Sequence, residues 1–184
     1  MEQEFAVKRT SRLLILTLLC HGLVTLSLLA LSCTVHFGFR NLTDIDYFHA
    51  FRQIHSYTIA FPFCALLLGP MILLPTVCFD QYTLGNQFRV PLLLAATIVY
   101  YTGIFAFTVF RIFPLQLGLG FNANNIALTN QYLSSRHQIQ ESWNTWQHIR
   151  AASALISLVL TALATFKKPI QQTPSWQSLD KFLS

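Results

Sequence analysis

Four long runs almost free of charge, at residues 13–35, 56–79, 90–110 and 151–166, constrain this chain more than any other feature. An apolar helix of about 20 residues crosses the hydrocarbon core of a bilayer, because each residue rises about 1.5 Å. Backbone amides cannot go unpaired in lipid, so such runs read as helices. The fourth run is short by itself and reaches spanning length if its helix begins near Trp143. Hydrophobic side chains make up 53% of the 184 residues, too many for an ordinary soluble domain. The expected fold is all-α: a four-transmembrane-helix bundle with an amphipathic segment in the first outer loop.

The first run lacks a small-residue cleavage site and is longer than a signal-peptide core, so it reads as a retained span. The division expected is a cytosolic amino-terminal tail at 1–12, without regular structure, a membrane domain at 13–166, and a cytosolic carboxyl-terminal tail at 167–184. The net charge of +5 bears on orientation rather than on nucleic acid, which is not an expected partner. Lys8, Arg9, Arg12, Arg89, Lys167, Lys168 and Lys181 fall on one side of four spans. Arg40, Arg52, Arg111, Arg136 and Arg150 fall toward the other. Positive charge favours the cytosol, so both termini are expected there.

Cys20, Cys33, Cys64 and Cys78 lie inside the spans without a CxxC pair, which argues against a thiol–disulfide membrane enzyme. His21 is the polar outlier of helix 1, expected to bond a helix backbone or a Ser or Thr hydroxyl. Asn41-Leu42-Thr43 is a glycosylation sequon on the outer side. In the same loop Tyr47, Phe48, Phe51 and Ile54 are spaced as a helical stripe against the bundle. Pro62, Pro70 and Pro75 remove backbone donors from helix 2, so space beside it is expected. The connection at 80–90 is short, making helices 2 and 3 antiparallel neighbours; that at 113–140 is long and rich in Gly, Asn and Gln.

The stretch ESWNTWQHIR, residues 141–150, opens helix 4. At about 100° per residue, Trp143, Trp146, Gln147 and Arg150 share one side, continued by Ala154 and Ser157. Glu141, Asn144 and His148 share the other. Interfacial tryptophan and a snorkelling arginine are ordinary anchors. Gln147 and Arg150 on the tryptophan face point further, because a cation at the apolar boundary needs water, a partner or a ligand.

The pattern Glu-x-Trp-x-x-Trp-x-His-x-Arg, here ending Trp146-Gln147-His148-Ile149-Arg150, resembles the closing signature of the anthrone-oxygenase-like family of small four-helix membrane proteins. LTDIDYFHAFRQIH is similar to that family's first-loop pattern, with Asp44, Phe48, Ala50, Phe51 and Ile54 in register and His55 at an Asn position. TGIFAFT and IFPLQ are similar to its Gly-x-Phe-x-x-Thr and Val-Pro-Leu-Asn, with Gln116 replacing Asn. The three characteristic asparagines have become His55, Gln116 and Gln147, and Asn124 and Asn125 are the amides available in exchange.

Characterised members of that family are fungal enzymes of aromatic polyketide metabolism that oxidise anthrones to anthraquinones and are regarded as needing no metal or flavin. The resemblance implies a site at the outer end of the bundle and no cofactor. His55 is then the candidate base, and Arg150 and Gln147 the oxyanion partners. Trp143, Trp146, Gln116 and Asn125 would bind the substrate, a hydrophobic aromatic molecule that reacts with molecular oxygen. Three other readings stay open: a non-enzymatic scaffold, self-associating or partner-binding; a transporter, which would need to oligomerise; and a metal-dependent oxidoreductase. The metal would use His36, His49, His55, His137 and His148 with Asp44, Asp46 and Glu141, although none has a strong ligand spacing.

Overall fold

The computed structural model describes residues 2–39, 41–43, 46, 47, 49–51, 53, 54, 61–112, 114 and 136–167. Among them the regular structure is helical. Helix α1 runs Glu2–Cys33 and continues into a wide π-helical turn, Thr34–Gly38. Helix α2 is Phe61–Thr83. Helix α3 is Arg89–Tyr100, prolonged by two further π-helical stretches, Tyr101–Ala106 and Thr108–Ile112. Helix α4 is Arg136–Phe166. Four segments are long and apolar enough to span a bilayer: Val7–Cys33, Phe63–Thr83, Arg89–Ile112 and Gln140–Phe166.

One expectation needs correction, and one is met. The first dozen residues do not form an irregular tail, because the helix reaches back to Glu2. No proline or glycine interrupts residues 2–12, so nothing stops the backbone ladder from extending beyond the apolar part. Helix α4 likewise begins before Trp143, at Arg136, which gives it the length that its apolar run alone lacked.

The helices form a closed ring in which α1 and α3 each pack on both α2 and α4. Ion and hydrogen-bond pairs at one end confirm the up-down threading. Arg9 near the start of α1 lies 3.6 Å from Asp80 near the end of α2. The Arg89 guanidinium, opening α3, donates to the carbonyl of Lys167 just past α4 at 2.7 Å. Helix α2 stops at Gly85, whose φ of +69° suits a residue without Cβ. The amides of Gly85 and Asn86 return to the carbonyls of Tyr82 and Gln81, so the orphan carbonyls of the last turn are met.

Leu19, Leu23, Leu26, Ile72, Ile98 and Leu163 face outward, as a lipid-facing girdle requires. Polar side chains turn inward instead. Thr17, His21, Thr25, Ser157 and Thr161 are all buried. Each finds an acceptor or donor on a helix: Ser157 donates to the Ala96 carbonyl at 2.8 Å, joining α4 to α3. His21 Nδ1 lies 3.4 Å from the Thr161 hydroxyl, which matches the structural role expected of it.

Helix α2 runs through Pro70 and Pro75. Pro75 has no N–H to offer the carbonyl four residues back, and that carbonyl, of Met71, accepts from the Tyr101 hydroxyl at 2.8 Å. Tyr100 donates to another carbonyl of α2, that of Leu67, at 2.7 Å. Two adjacent tyrosines of α3 thereby stitch the proline-bearing helix to its neighbour. Space does open beside α2, as its prolines led us to expect. A cavity of about 190 Å³ lies between α2 and α3.

Candidate functional site

The outer end of the bundle is closed by aromatic packing. Residues 46, 47, 49–51, 53 and 54 are helical, and the expected stripe packs inward: Tyr47 and Phe51 are buried and Ile54 lies against them. Phe39, Ile112 and Trp143 complete this cluster. Phe51 meets Trp143 edge to face with ring centroids 4.5 Å apart, and stacks on Tyr47 at 5.9 Å. Phe48 lies outside the described residues.

Beneath this lid the face of α4 turns polar. Trp143, Gln147 and Arg150 are spaced i, i+4 and i+7, which places them on one stripe within about 10 Å of helix. All three are buried, Arg150 to 3% exposure. Ala154 and Ser157 continue the stripe as buried residues, as the helical wheel implied. The Arg150 Nη1 group donates to Gln147 Oε1 at 3.0 Å. Across from this stripe, Tyr100 of α3 packs in the core cluster that holds Ala154, one turn beyond Arg150 on α4.

Among the described residues no carboxylate pairs with Arg150. Three further buried polar atoms of the stripe have no hydrogen-bond partner: Trp143 Nε1, Gln147 Nε2 and Arg150 Nε. All three are donors. A buried cation beside several unmet N–H groups is costly in apolar surroundings unless something negative or oxygen-rich completes it. Chemically, such a set of donors suits an oxygen-rich or anionic group.

The other predicted residues fall elsewhere. Trp146 is half-buried, stacked on Phe107 at 5.2 Å and capped by the Arg111 guanidinium 5.0 Å from its ring. Its ring is thus engaged by α3. His148 faces away, with Nδ1 2.8 Å from the Ser32 hydroxyl of α1, a tie between helices at the outer end. His137 and Glu141 form an exposed i, i+4 pair at 3.5 Å, an arrangement worth little. Among the described residues no three His, Cys, Asp or Glu side chains gather into a metal-sized cluster. Asn41 is exposed in a turn. His55, Gln116, Asn124, Asn125 and Asp44 lie outside the described residues.

Sequence reasoning missed Tyr100. Its signal was present as a tandem tyrosine opposite a helix with two prolines, but which tyrosine joins the core cluster depends on the packing. It also missed why α3 carries glycine at position 103. A Cβ there would collide with the Cβ and hydroxyl of Ser153 on α4. Gly103 lets α3 and α4 approach closely, at a contact one turn from both Tyr100 and Arg150 in sequence.

The fold defines a small membrane protein with four helices able to span a bilayer and a buried stripe of N–H donors in one end of its bundle. A profile of the anthrone oxygenase family matches residues 48–160, more than half of the chain and the whole of this site's framework. The chain belongs to the anthrone oxygenase family. No curated protein and no solved structure matches it.

Proposed function

We propose that the protein oxidises an anthrone-type aromatic polyketide to the corresponding quinone with molecular oxygen. The observation that carries this reading is the buried Arg150 guanidinium, which among the described residues pairs with no carboxylate and shares its helix stripe with unmet donors. An anthrone has an acidic benzylic C–H flanked by aromatic rings. Loss of that proton leaves an anion whose charge rests largely on the ketone oxygen. Arg150, Gln147 Nε2 and Trp143 Nε1 are suited to hold that oxygen, stabilising charge only as it develops. His55 is the candidate base on sequence grounds. Trp146, Gln116 and Asn125 complete the candidate substrate-binding residues on the same grounds.

The electron-rich carbanion then gives electrons to oxygen, and a C–O bond forms at the former methylene carbon. The resulting hydroperoxide loses its remaining C–H proton as the O–O bond breaks and hydroxide departs. One anthrone and one O2 thus give one quinone and one water. The reaction balances without a cofactor, so the protein's part is to hold the flat apolar body, remove a proton and stabilise an oxyanion.

The test is oxygen uptake by purified protein in detergent with emodin anthrone under chelation, measured against uncatalysed autoxidation. Uptake well above background that His55→Ala removes, in protein that remains folded, is the expected result. Background uptake from folded wild-type protein would sink the reading.

The end of the bundle bearing Arg9, Arg89 and Lys167 is assigned to the cytosol, because basic residues near span ends are retained there. Asn41 then faces the lumen or exterior. Expressed in a host with a secretory pathway, the protein should carry an endoglycosidase-sensitive glycan that Asn41→Gln abolishes. Glycosylation of a sequon introduced in the α2–α3 turn, at Gln87, would instead reverse the orientation.

A further inference from the structure

The geometry points to a lateral ligand port: the cavity between α2 and α3 admits a flat, apolar aromatic molecule from the bilayer toward the donor stripe. What becomes of that ligand rests on the reaction proposed above; the port itself does not.

Three of its wall residues, Cys64 and Leu68 on α2 and Phe105 on α3, are exposed on the lipid-facing side, so the cavity opens to the membrane. Leu67 and Ile104 form its inner apolar wall, and Ile104 belongs to the bundle core. Two of the wall's hydroxyls are turned away from the space. Thr108 donates to the Ile104 carbonyl and Tyr100 to the Leu67 carbonyl. Those groups make no demand on an occupant, and a polar ligand would lose its hydration there without recompense.

Tyr100 decides where the cavity leads. It is buried, it lines the cavity, and on its inner side it packs in the core cluster that holds Ala154, one turn beyond Arg150 on α4. One aromatic side chain therefore separates an apolar slot facing lipid from a buried cation with unmet donors. An acyl chain would fill the slot but offer nothing to those donors. A planar aromatic ketone satisfies both halves, with rings against Leu67, Ile104 and Phe105 and its oxygen directed inward. The aromatic lid of Phe39, Tyr47, Phe51 and Trp143 closes the outer end, which leaves the side of the bundle as the apolar approach.

The test uses the full chain in lipid nanodiscs with Cys20, Cys33 and Cys78 replaced by alanine. Alkylation of Cys64 by a membrane-permeant maleimide is followed by mass spectrometry, with and without the anthraquinone emodin. Emodin should slow labelling about tenfold, corresponding to roughly 1.4 kcal/mol of occupancy-linked protection. Leu68→Trp, which fills the slot, should remove the protection. A control in which Cys64→Ala is combined with Ile72→Cys, on the lipid face of the same helix but outside the slot, should show none. Failure of Cys64 to react, absence of protection, or equal protection at position 72 would each overturn the port. Oxygen uptake in the same discs separates the two ideas. Protection without turnover keeps the port and removes the anthrone reaction, whereas turnover without protection keeps the reaction and removes the port.

Discussion

If the protein catalyses the oxidation proposed above, Arg150→Lys should lower its rate by about 100-fold or more, the size of effect seen when one fixed oxyanion donor is lost. The lysine ammonium retains the charge, but it is a compact point charge on a flexible stem. The guanidinium is a planar fork with donors in fixed directions, and one arm is already held by Gln147 Oε1 at 3.0 Å. Arg150→Met separates function from stability. It removes the charge while keeping most of the volume, so turnover should fall to background. Thermal stability should stay level or rise, because replacing a poorly compensated buried charge with an apolar side chain is often worth ~1–4 kcal/mol. The same substitution in a purely architectural arginine would leave no turnover to lose and would weaken the fold. Wild-type turnover in Arg150→Lys would remove the guanidinium fork of Arg150 from the reaction.

The second large effect is expected at Gly103. A methyl group there has nowhere to go, since it meets Ser153 at its Cβ as well as its hydroxyl and rotation of the side chain cannot relieve the contact. Helices α3 and α4 must separate, which strains the core around Tyr100, Ile104 and Ala154. Gly103→Ala should therefore cost ~1–3 kcal/mol, the usual range for overpacking, and Gly103→Leu should prevent recovery of folded protein. Ser153→Gly in the Gly103→Ala background should restore most of the loss, because it removes the group that is struck. The measurement is a double-mutant cycle on thermal unfolding in detergent. A Gly103→Ala protein as stable as wild type, with no coupling to Ser153, would mean that the helices do not approach as described.

Membership of the anthrone oxygenase family also places the chemistry in a particular physical setting. An apolar aromatic substrate of the kind proposed above would partition into lipid, and a site within the bundle could take it up without a passage through water. The aromatic lid and the small residues of the α3–α4 contact hold the donor stripe away from solvent, where each hydrogen bond to a developing oxyanion is strongest.

Much of this architecture was legible before any fold was known, and for a definable reason. Apolar length determines spanning, since the bilayer sets one dimension that a helix must meet. Helical period determines facing, so Trp143, Gln147, Arg150, Ala154 and Ser157 could be placed on one stripe from spacing alone. The same rule put Tyr47, Phe51 and Ile54 on the inner face of the first loop. Both rules act within one segment, and one segment is what a sequence displays directly.

Contacts between segments were decided by tertiary structure. That Arg150 pairs with no carboxylate among the described residues, that Trp146 is engaged by Phe107 and Arg111, and that His148 ties α4 to Ser32 all depend on helix rotation and depth. The wide turns at 101–106 and 108–112 shift the facing of every later residue of α3, which no regular 3.6-residue period anticipates. Sequence determined which residues face inward; packing decided which of them meet, because a contact is a property of two surfaces and only one is written in any stretch of chain.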